Sequence, residues 1–198
     1  DRAVGDRVGA VRDERLARHT TFGIGGPADL FLTVRSSEAL AFAASAAHDA
    51  AVPALVLGSG SNVLVADAGV RGLVIDNRAR ADQADSTGLT FRVESGASFA
   101  AFARKMCRTG LEGLTWAVGI PGTIGGAVVY NAGAYGGCLA DVLRRVRLQL
   151  PGDGDQWVDA ADLGMVYRGS AFTRGQVGGK AVLEAEVELS AGDAPTLL

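Results

Sequence analysis

The chain has 198 residues, of which 48% are hydrophobic and 21% charged, and its net charge is -3. This composition is typical of an ordinary globular protein and excludes a disordered one. A slightly acidic chain with dispersed arginines lacks the basic surface that nucleic-acid binding requires. No apolar run approaches the roughly 20 residues of a membrane-spanning helix, and the first residues lack the apolar centre of a signal peptide. We therefore expect a cytoplasmic protein without nucleic-acid or membrane partners; its oligomeric state is open.

The reactive side chains are few and scattered. Cys107 and Cys138 stand alone in sequence, with no CxxC pair and no nearby histidine. This spacing argues against both a zinc site and a disulfide framework. His19 and His48 are the only histidines, so most metal and triad chemistries lack their usual base. We predict no metal site.

The first part of the chain reads as an α/β unit. Residues 28–34 (ADLFLTV) predict a strand, and Ser36 or Ser37 then caps a helix that ends before Pro53. Three short apolar runs separated by Gly, Ser and Asp follow and predict strands: PALVLG, NVLVAD and GLVIDN. The unit ends near Asn77, and we predict a first subdomain over residues 1–78.

The second part reads as an α+β subdomain over residues 79–198. TFRVESG predicts a strand, and Ser98 caps an amphipathic helix that carries Phe99, Phe102, Ala103 and Met106 on one face. VRLQL, QWVDA and AVLEAEVEL alternate with turns, which favours antiparallel strands over βαβ repeats. Their acidic residues Glu94, Glu184 and Glu186 resemble solvated charges on a strand face. The overall fold class is α+β.

A short Gly/Ser loop lies within VLGSGSNVLVAD. Successive small residues let backbone N–H groups converge on an anion, and Ser59, Ser61 and Asn62 add side-chain donors, so that a diphosphate would fit. The loop is neither a Walker motif nor GxGxxG, since Val63 holds the last glycine position. Taken alone, a Gly/Ser turn between strands favours a plain hairpin.

Residues 119–137, the glycine segment, contain seven glycines within GIPGTIGGAVVYNAGAYGG. Each interior glycine costs roughly 0.5–1 kcal/mol relative to alanine, so such a run needs a reason. One interpretation is that exposed peptide groups let a flat ring approach, with Asn131 and Tyr135 as hydrogen-bonding partners. The other is a crossover between packed strands. The residues of this segment are compatible with both interpretations.

A third motif is MVYRGSAF, in which Tyr167, Arg168 and Ser170 lie between apolar residues. Arg168 is a permanent cation that can face a carboxylate or a developing enolate. The octapeptide alone favours an arginine that extends over a strand surface.

Taken in order, four motifs give the chain a family resemblance. TTFGIGGPADLF, LVLGSGSNVLVAD, the glycine segment with its preceding GLEGLTWAV, and YRGSAF follow one another over residues 20–189. In this order the chain resembles the bacterial UDP-N-acetylenolpyruvoylglucosamine reductase family. That family is similar to the vanillyl-alcohol-oxidase and p-cresol-methylhydroxylase type of flavoprotein, in which two α+β subdomains hold FAD between them.

The resemblance implies a set of FAD-binding residues. The pyrophosphate is matched to the Gly/Ser loop, and the flavin to the glycine segment. The implied pyrophosphate contacts are Gly58, Ser59, Gly60, Ser61, Asn62 and Val63. The implied flavin contacts are Ile120, Pro121, Gly122, Thr123, Gly126, Gly133, Ala134 and Tyr135.

The resemblance also implies a reaction. NADPH reduces FAD, hydride then passes to the enolpyruvyl double bond of a UDP-sugar, and UDP-N-acetylmuramate is formed for peptidoglycan. Arg168 matches the arginine that stabilises the enolate, and Tyr167 lies beside it in the substrate pocket. A fixed cation at the carboxylate stabilises the charge that develops in the transition state.

The chain departs from the family pattern in two ways. Thr173 and Arg174 follow Phe172, where the family usually has lysine, which leaves the role of that lysine in doubt or shifted to Arg174. The family's further substrate domain, which supplies a proton-donating serine and a late glutamate, is not matched, so we expect a fragment of a longer enzyme. Two alternatives stay open: a non-catalytic FAD-binding module, and another FAD-dependent oxidase of the same fold.

Overall fold

The computed structural model describes residues 9–150, 154–177, 181–194 and 197. Its first sheet has four strands in the order β1-β2-β4-β3, in which β2, β4 and β3 are parallel and β1 is antiparallel. We call this sheet and its helix lobe 1. Its elements are β1 (Val11–Arg15), β2 (Pro27–Val34), α1 (Ser37–Asp49), β3 (Ala54–Leu57) and β4 (Val70–Asn77).

The remaining elements form lobe 2, built on a five-stranded antiparallel sheet in the order β11-β10-β12-β6-β5. The predicted antiparallel arrangement is confirmed. The strands of lobe 2, in this sheet and in two short strand pairs (β7 with β13, β8 with β9), are β5 (Asp82–Ala84), β6 (Thr90–Glu94), β7 (Leu111–Glu112), β8 (Gly133–Ala134), β9 (Gly137–Cys138), β10 (Leu143–Leu150), β11 (Gly154–Asp159), β12 (Ala181–Glu188) and β13 (Ser190–Ala191). Its helices are α2 (Phe99–Arg108) and α3 (Ile124–Tyr130).

Helix α1 forms as the sequence predicts. Ser36 is its N-cap, and the Ser36 side chain accepts a hydrogen bond from the backbone N–H of Ala39 at 3.1 Å. The buried face of α1 packs on β2 and β4, and Leu183 of β12 joins the same core. Helix α1 therefore lies between the two lobes and shares its apolar face with both.

Helix α2 also confirms its prediction. Ser98 caps it, with the Ser98 hydroxyl oxygen 3.4 Å from the N–H of Ala101. Phe99, Phe102, Ala103 and Met106 are all buried in the core of lobe 2. In the described part of the chain, no helix is long and apolar enough to cross a membrane.

The predicted strand NVLVAD is wrong, and so is the hairpin interpretation of the loop before it. Residues 62–67 are not a strand, because β3 pairs in parallel with β4 and leaves no antiparallel partner for them. They pack instead on the segment that precedes β2: the N–H of Gly26 donates to the Ala66 carbonyl at 3.0 Å. Val65 is buried there, while Leu64 stays exposed.

A β-bulge in β12 connects the lobes. Arg147 of β10 pairs with Glu184, and Leu148 pairs with Val182, so Leu183 is an extra residue without a partner in β10. The bulge sends Val182 into the core of lobe 2 and Leu183 into the core around α1. The Leu183 carbonyl accepts a hydrogen bond from the N–H of Ser95 at 2.9 Å.

The interpretation of three glutamates as solvated charges is wrong. The Glu94 carboxylate accepts hydrogen bonds from the Ser37 N–H at 2.8 Å, the Ser37 hydroxyl at 3.0 Å and the Ala81 N–H at 2.7 Å. It therefore holds the start of α1 from across the lobe boundary, where the helix dipole favours an anion. Glu184 and Glu186 form ion pairs with arginines of the neighbouring strands.

Candidate functional site

A cavity of about 690 Å³ lies between the two lobes. Its volume falls in the range of small-molecule and cofactor sites. Lobe 1 contributes the edge strand β3 and the loop after it, and lobe 2 contributes the first half of the glycine segment. Of the predicted site residues, the cavity is lined by Gly58, Ser59, Gly60, Ser61, Asn62, Val63, Ile120, Pro121, Gly122, Thr123, Gly126 and Arg168.

Residues 58–63, which we call the first loop, accept a backbone hydrogen bond from the protein but donate none to it. The Gly60 carbonyl accepts from the N–H of Thr21 at 3.0 Å, which fixes the loop from behind. No backbone N–H of the loop donates to another described residue. Consecutive N–H groups without a protein partner at a cavity wall can bind an anion. The loop can therefore hold a diphosphate through its backbone.

The two lobes come very close at this point. A Cβ added to Gly58 would lie 2.6 Å from the Thr123 hydroxyl oxygen, so only glycine fits. Thr123 is itself fixed as the N-cap of α3, and its hydroxyl accepts from the N–H of Gly126 at 3.4 Å. The first loop and the glycine segment thus form adjoining walls of one cavity.

The glycine segment contains helix α3, which the sequence analysis did not predict. Several of its glycines pack closely against protein, including Gly125, which also lines the cavity. A Cβ on Gly125 would lie 3.0 Å from the Cβ of Ser95, and a Cβ on Gly137 would overlap the Trp116 ring. Gly126 is different. Apart from the backbone of the helix itself, the only described atom within 4 Å of a Cβ added to Gly126 is the hydroxyl oxygen of Thr123, the N-cap of α3. Close packing therefore accounts for part of the segment, and the approach of a flat ring to the rest stays a prediction.

The end of the glycine segment lies away from the cavity. Gly133 and Ala134 form β8, a short hairpin strand paired with β9, and Tyr135 at its tip is 97% exposed. None of the three is among the cavity-lining residues, so their predicted contact with the flavin stays a prediction. Asn131, the suggested ligand partner, is buried and hydrogen-bonded within the protein.

Arg168 lies at the cavity edge, in a tight turn formed by residues 166–169, which we call the arginine turn. It is the only Lys, Arg, Asp or Glu among the described residues that line the cavity. Its guanidinium carbon lies 5.8 Å from the centroid of the Tyr167 ring. Within the described chain its side chain has no hydrogen bond or ion pair to another residue. The cation is free to meet an anionic ligand.

Three neighbours of Arg168 have other environments. Tyr167 is 91% exposed and does not line the cavity, so its contact with a substrate stays a prediction. The Thr173 hydroxyl donates to the Ser170 carbonyl at 2.9 Å and closes the chain behind the turn. Arg174 donates to the Gly164 carbonyl at 2.9 Å and does not line the cavity.

Two polar residues of the cavity wall were missed by the sequence analysis. The Asn77 side-chain amide donates to the Ser95 hydroxyl at 2.8 Å, and the Ser95 carbonyl accepts from the N–H of Gly125 at 2.8 Å. Both side chains are buried and line the cavity floor. Asn77 ends β4 and Ser95 directly follows β6, a weak signal shared by many structural residues. Their bonds join β4, β6 and α3.

Cys107 and Cys138 carry no chemistry at this cavity. Burial raises the pKa of the Cys107 thiol, which disfavours the reactive thiolate. Cys138 begins the short turn over Leu139–Asp141 and does not line the cavity. The described residues contain no group of three or more His, Cys, Asp or Glu side chains arranged to bind a metal.

Comparison with known proteins identifies the class. The model of the FAD binding domain family matches residues 28–159, about two thirds of the chain. The chain belongs to this family of FAD-binding domains. The match includes β2 to β11, and therefore both adjoining loops of the cavity.

The curated relatives are more specific. The chain is 40% identical over 184 residues to the UDP-N-acetylenolpyruvoylglucosamine reductase of Gloeobacter violaceus, an alignment that includes 92% of this chain and 61% of that protein. It is 39% identical over 182 residues to the reductase of Shouchella clausii, with 91% and 57% covered. The chain thus spans about three fifths of the length of these relatives. The resemblance predicted from the motifs is confirmed.

Solved structures support the same fold. The UDP-N-acetylenolpyruvylglucosamine reductase of Thermus caldophilus superimposes with a TM-score of 0.77 at 33% identity, over 94% of this chain and 65% of that one. Alkyldihydroxyacetonephosphate synthase superimposes with a TM-score of 0.61 at 19% identity, over 83% of this chain and 34% of that one, a likeness of fold alone. The fold is the predicted α+β fold of vanillyl-alcohol-oxidase type, and the predicted FAD cofactor is confirmed at the level of the family.

Proposed function

We propose that this chain is the FAD-binding part of an enzyme that uses NADPH to reduce UDP-N-acetylglucosamine enolpyruvate to UDP-N-acetylmuramate. The observation that carries the proposal is the cavity between the lobes, with unpartnered backbone N–H groups on one wall and the free Arg168 cation at its edge. Relatives at up to 40% identity that bear the reductase name support the choice of reaction.

The described residues fit FAD on structural grounds. The first loop offers backbone N–H groups to a diphosphate, and no acidic side chain among the described lining residues opposes it. Ile120, Pro121, Gly122, Thr123 and Gly126 would form the wall beside the flavin ring. When bound, FAD would supply a hydride acceptor for NADPH and a hydride donor for the enolpyruvyl double bond.

Arg168 would stabilise the substrate in the step that follows. Addition of hydride to a double bond conjugated to a carboxylate increases the negative charge on that carboxylate. A guanidinium held nearby stabilises this charge more in the transition state than in the ground state, and so lowers the barrier. Arginine suits the role because its planar fork matches the two carboxylate oxygens.

The finer parts of the proposal follow from the reductase name. They are the use of NADPH, a role in peptidoglycan synthesis, a cytoplasmic location, and a longer natural protein from which this chain is a part. We also propose that the chain divides into FAD-binding subdomains at residues 78 and 79, between the two sheets.

The test uses the complete natural protein that contains this chain. Purified protein should be yellow and release flavin on heating, and anaerobic NADPH should bleach it. Addition of the enolpyruvyl UDP-sugar should then restore the colour and yield the muramate product. Colour without bleaching would favour a non-catalytic FAD module, and oxidation by oxygen but not by the sugar would favour an oxidase. Absence of flavin after FAD is supplied would refute all three.

Replacement of Arg168 tests its role. Arg168→Ala should leave FAD bound and NADPH bleaching intact, and should slow the sugar-dependent reoxidation roughly a hundred- to a thousandfold. Arg168→Lys should recover only part of the rate, because a lysine lacks the bidentate fork. Arg108→Ala, at an exposed arginine at the end of α2, is the control and should change nothing. Normal reoxidation in Arg168→Ala would remove Arg168 from the mechanism.

A further inference from the structure

The arginine turn has a conformation that needs support. Two hydrogen bonds close it: the Val166 N–H donates to the Gly169 carbonyl at 2.9 Å, and the Gly169 N–H donates to the Val166 carbonyl at 3.1 Å. Between them Arg168 has a φ of 54°, in the left-handed region. A non-glycine residue there costs roughly 1–2 kcal/mol. The turn therefore depends on contacts outside itself to keep this geometry.

One such contact comes from Asn131. Its side-chain amide donates to the Val166 carbonyl at 3.0 Å, at the start of the turn. The same side chain accepts from the N–H of Ala140 at 3.0 Å, so both ends of the amide are used. Asn131 is only 5% exposed and ends α3 in a left-handed conformation, with a φ of 43°. Asparagine tolerates that conformation better than most residues.

The second contact holds the other end of the turn. Ser170 directly follows Gly169 and is fully buried at 0% exposure. Its hydroxyl donates to the Val129 carbonyl at 2.6 Å and accepts from the N–H of Phe172 at 3.2 Å. Val129 lies in the last turn of α3, next to the Tyr130–Asn131 end of the helix. The C-terminal end of α3 thus holds the arginine turn on both sides.

We infer that Asn131 and Ser170 are positioning residues. Through the C-terminal end of α3 they fix the Arg168 guanidinium relative to the cofactor wall, the part of the cavity formed by residues 120–126. The same helix lines the cavity with Gly125, Gly126 and Ala127, and again at its C-terminal end with Val129 and Tyr130. One short rigid element therefore sets the separation between the flavin side of the cavity and the cation. The inference rests on the proposed role of Arg168.

A purely structural role would have a different signature. Loss of either hydrogen bond would then lower stability and slow every step alike. A positioning role affects only the step that uses Arg168, and its effect disappears when Arg168 is already absent. The double-mutant cycle separates the two roles.

Two variants and one control make the test. Asn131→Asp keeps an oxygen for the Ala140 N–H and tolerates the left-handed backbone, but it has no donor for Val166. Ser170→Ala removes the hydroxyl bond to Val129 and provides a second, independent variant. Thr109→Val is the matched control, because the Thr109 hydroxyl donates to the Met106 carbonyl at 2.9 Å at the end of a different helix, α2.

The first measurement is amide exchange in the FAD-free complete protein. Exchange at Val166 and Gly169 should become faster in Asn131→Asp and Ser170→Ala, by about tenfold or more, since the bonds that hold the turn are weakened. Thr109→Val should leave these two amides unchanged. Unchanged exchange in both test variants would overturn the inference, whatever the enzyme does.

The second measurement is stopped-flow kinetics of the FAD-loaded protein. Both variants should leave NADPH bleaching unchanged and slow sugar-dependent reoxidation roughly ten- to a hundredfold. In the Arg168→Ala background they should slow it no further. Additive losses would overturn the inference but leave the proposed function intact. A parent protein that the sugar never reoxidises would refute the proposed function, and the inference with it.

Discussion

The two glycine-rich walls of the cavity both contain glycines that pack against protein, but they differ in the hydrogen bonding of their backbone. In the first loop, glycine accompanies backbone N–H groups that donate to no described residue and line the cavity. In the glycine segment, Gly125 and Gly137 have neighbouring protein where a side chain would be, and only part of the segment lines the cavity. Glycine content alone therefore does not identify a ligand contact. The backbone N–H groups of the first loop, which have no described protein partner, are the feature that distinguishes it from the glycine segment.

The largest expected effect comes from Gly60→Ala in the first loop. Gly60 has a φ of 66°, and a Cβ there would overlap the His19 carbonyl oxygen, so the loop must move. We expect the free energy of unfolding to fall by roughly 2–5 kcal/mol and FAD binding to be lost. Urea unfolding and flavin titration measure the two quantities.

The control for Gly60→Ala is Gly119→Ala, because no described atom lies within 4 Å of a Cβ at that position and its φ is not in the left-handed region. Its stability should change by less than about 0.5 kcal/mol. Equal effects of the two substitutions on stability would contradict the claim that Gly60 is required by its backbone conformation and close packing.

The next effect is that of Gly125→Ala in the glycine segment. Its Cβ would lie 3.0 Å from the Ser95 Cβ and 3.2 Å from the Ser95 carbonyl oxygen, both in a buried part of the lobe boundary. Overpacking of this kind should lower the free energy of unfolding by about 1–3 kcal/mol, as measured by urea unfolding of the FAD-free protein. A neutral result would show that the boundary adapts easily.

The neighbouring Gly126→Ala should act in the opposite direction. Gly126 lies in α3 and has open space on its cavity side, so alanine should raise the stability of the FAD-free protein by roughly 0.5–1 kcal/mol. The same methyl group would project towards the flavin, and flavin titration should show weaker binding. Stronger FAD binding in Gly126→Ala would contradict the assignment of this glycine to the cofactor wall.

The smallest effect, at the outer face of the lobe 2 sheet, provides a baseline for both walls. The hydrogen bond from Arg145, helped by that from Arg92, holds the pKa of Glu186 below its ordinary value of 4.5. A lowered pKa in the folded state gives stability that is present above pH 4.5 and is lost as the pH falls through the folded-state pKa.

Glu186→Gln should therefore reduce the loss of stability between neutral pH and pH 3 by less than about 0.5 kcal/mol, as acid and urea unfolding can measure. FAD affinity at neutral pH should not change. A change in FAD affinity would mean that any loss of stability weakens FAD binding. The weaker binding of the glycine variants could not then be attributed to the wall in which each glycine lies.

The sequence predicted much of this fold because periodicity and capping are local. The Ser36 and Ser98 caps and the antiparallel strands of lobe 2 all follow from nearby residues. Helix α3 escaped prediction because glycines at Gly125 and Gly126 disfavour a helix, and the hydrogen bond of Gly125 to Ser95 depends on a residue distant in sequence.

The candidate site was predictable in part. The first loop and Arg168 follow from motif order, and both line the cavity. The structural role of Asn131 was not predictable, because its partners Val166 and Ala140 come from segments distant in sequence or from the far side of a hairpin. The link made by Glu94 to α1 likewise joins residues of different lobes.

Amide exchange of residues 58–63, with and without FAD, tests the central claim most directly. The account predicts that the N–H groups of this loop exchange rapidly in the FAD-free protein and become protected when FAD binds. FAD binding that protects other amides and leaves residues 58–63 exchanging at their original rates would contradict it.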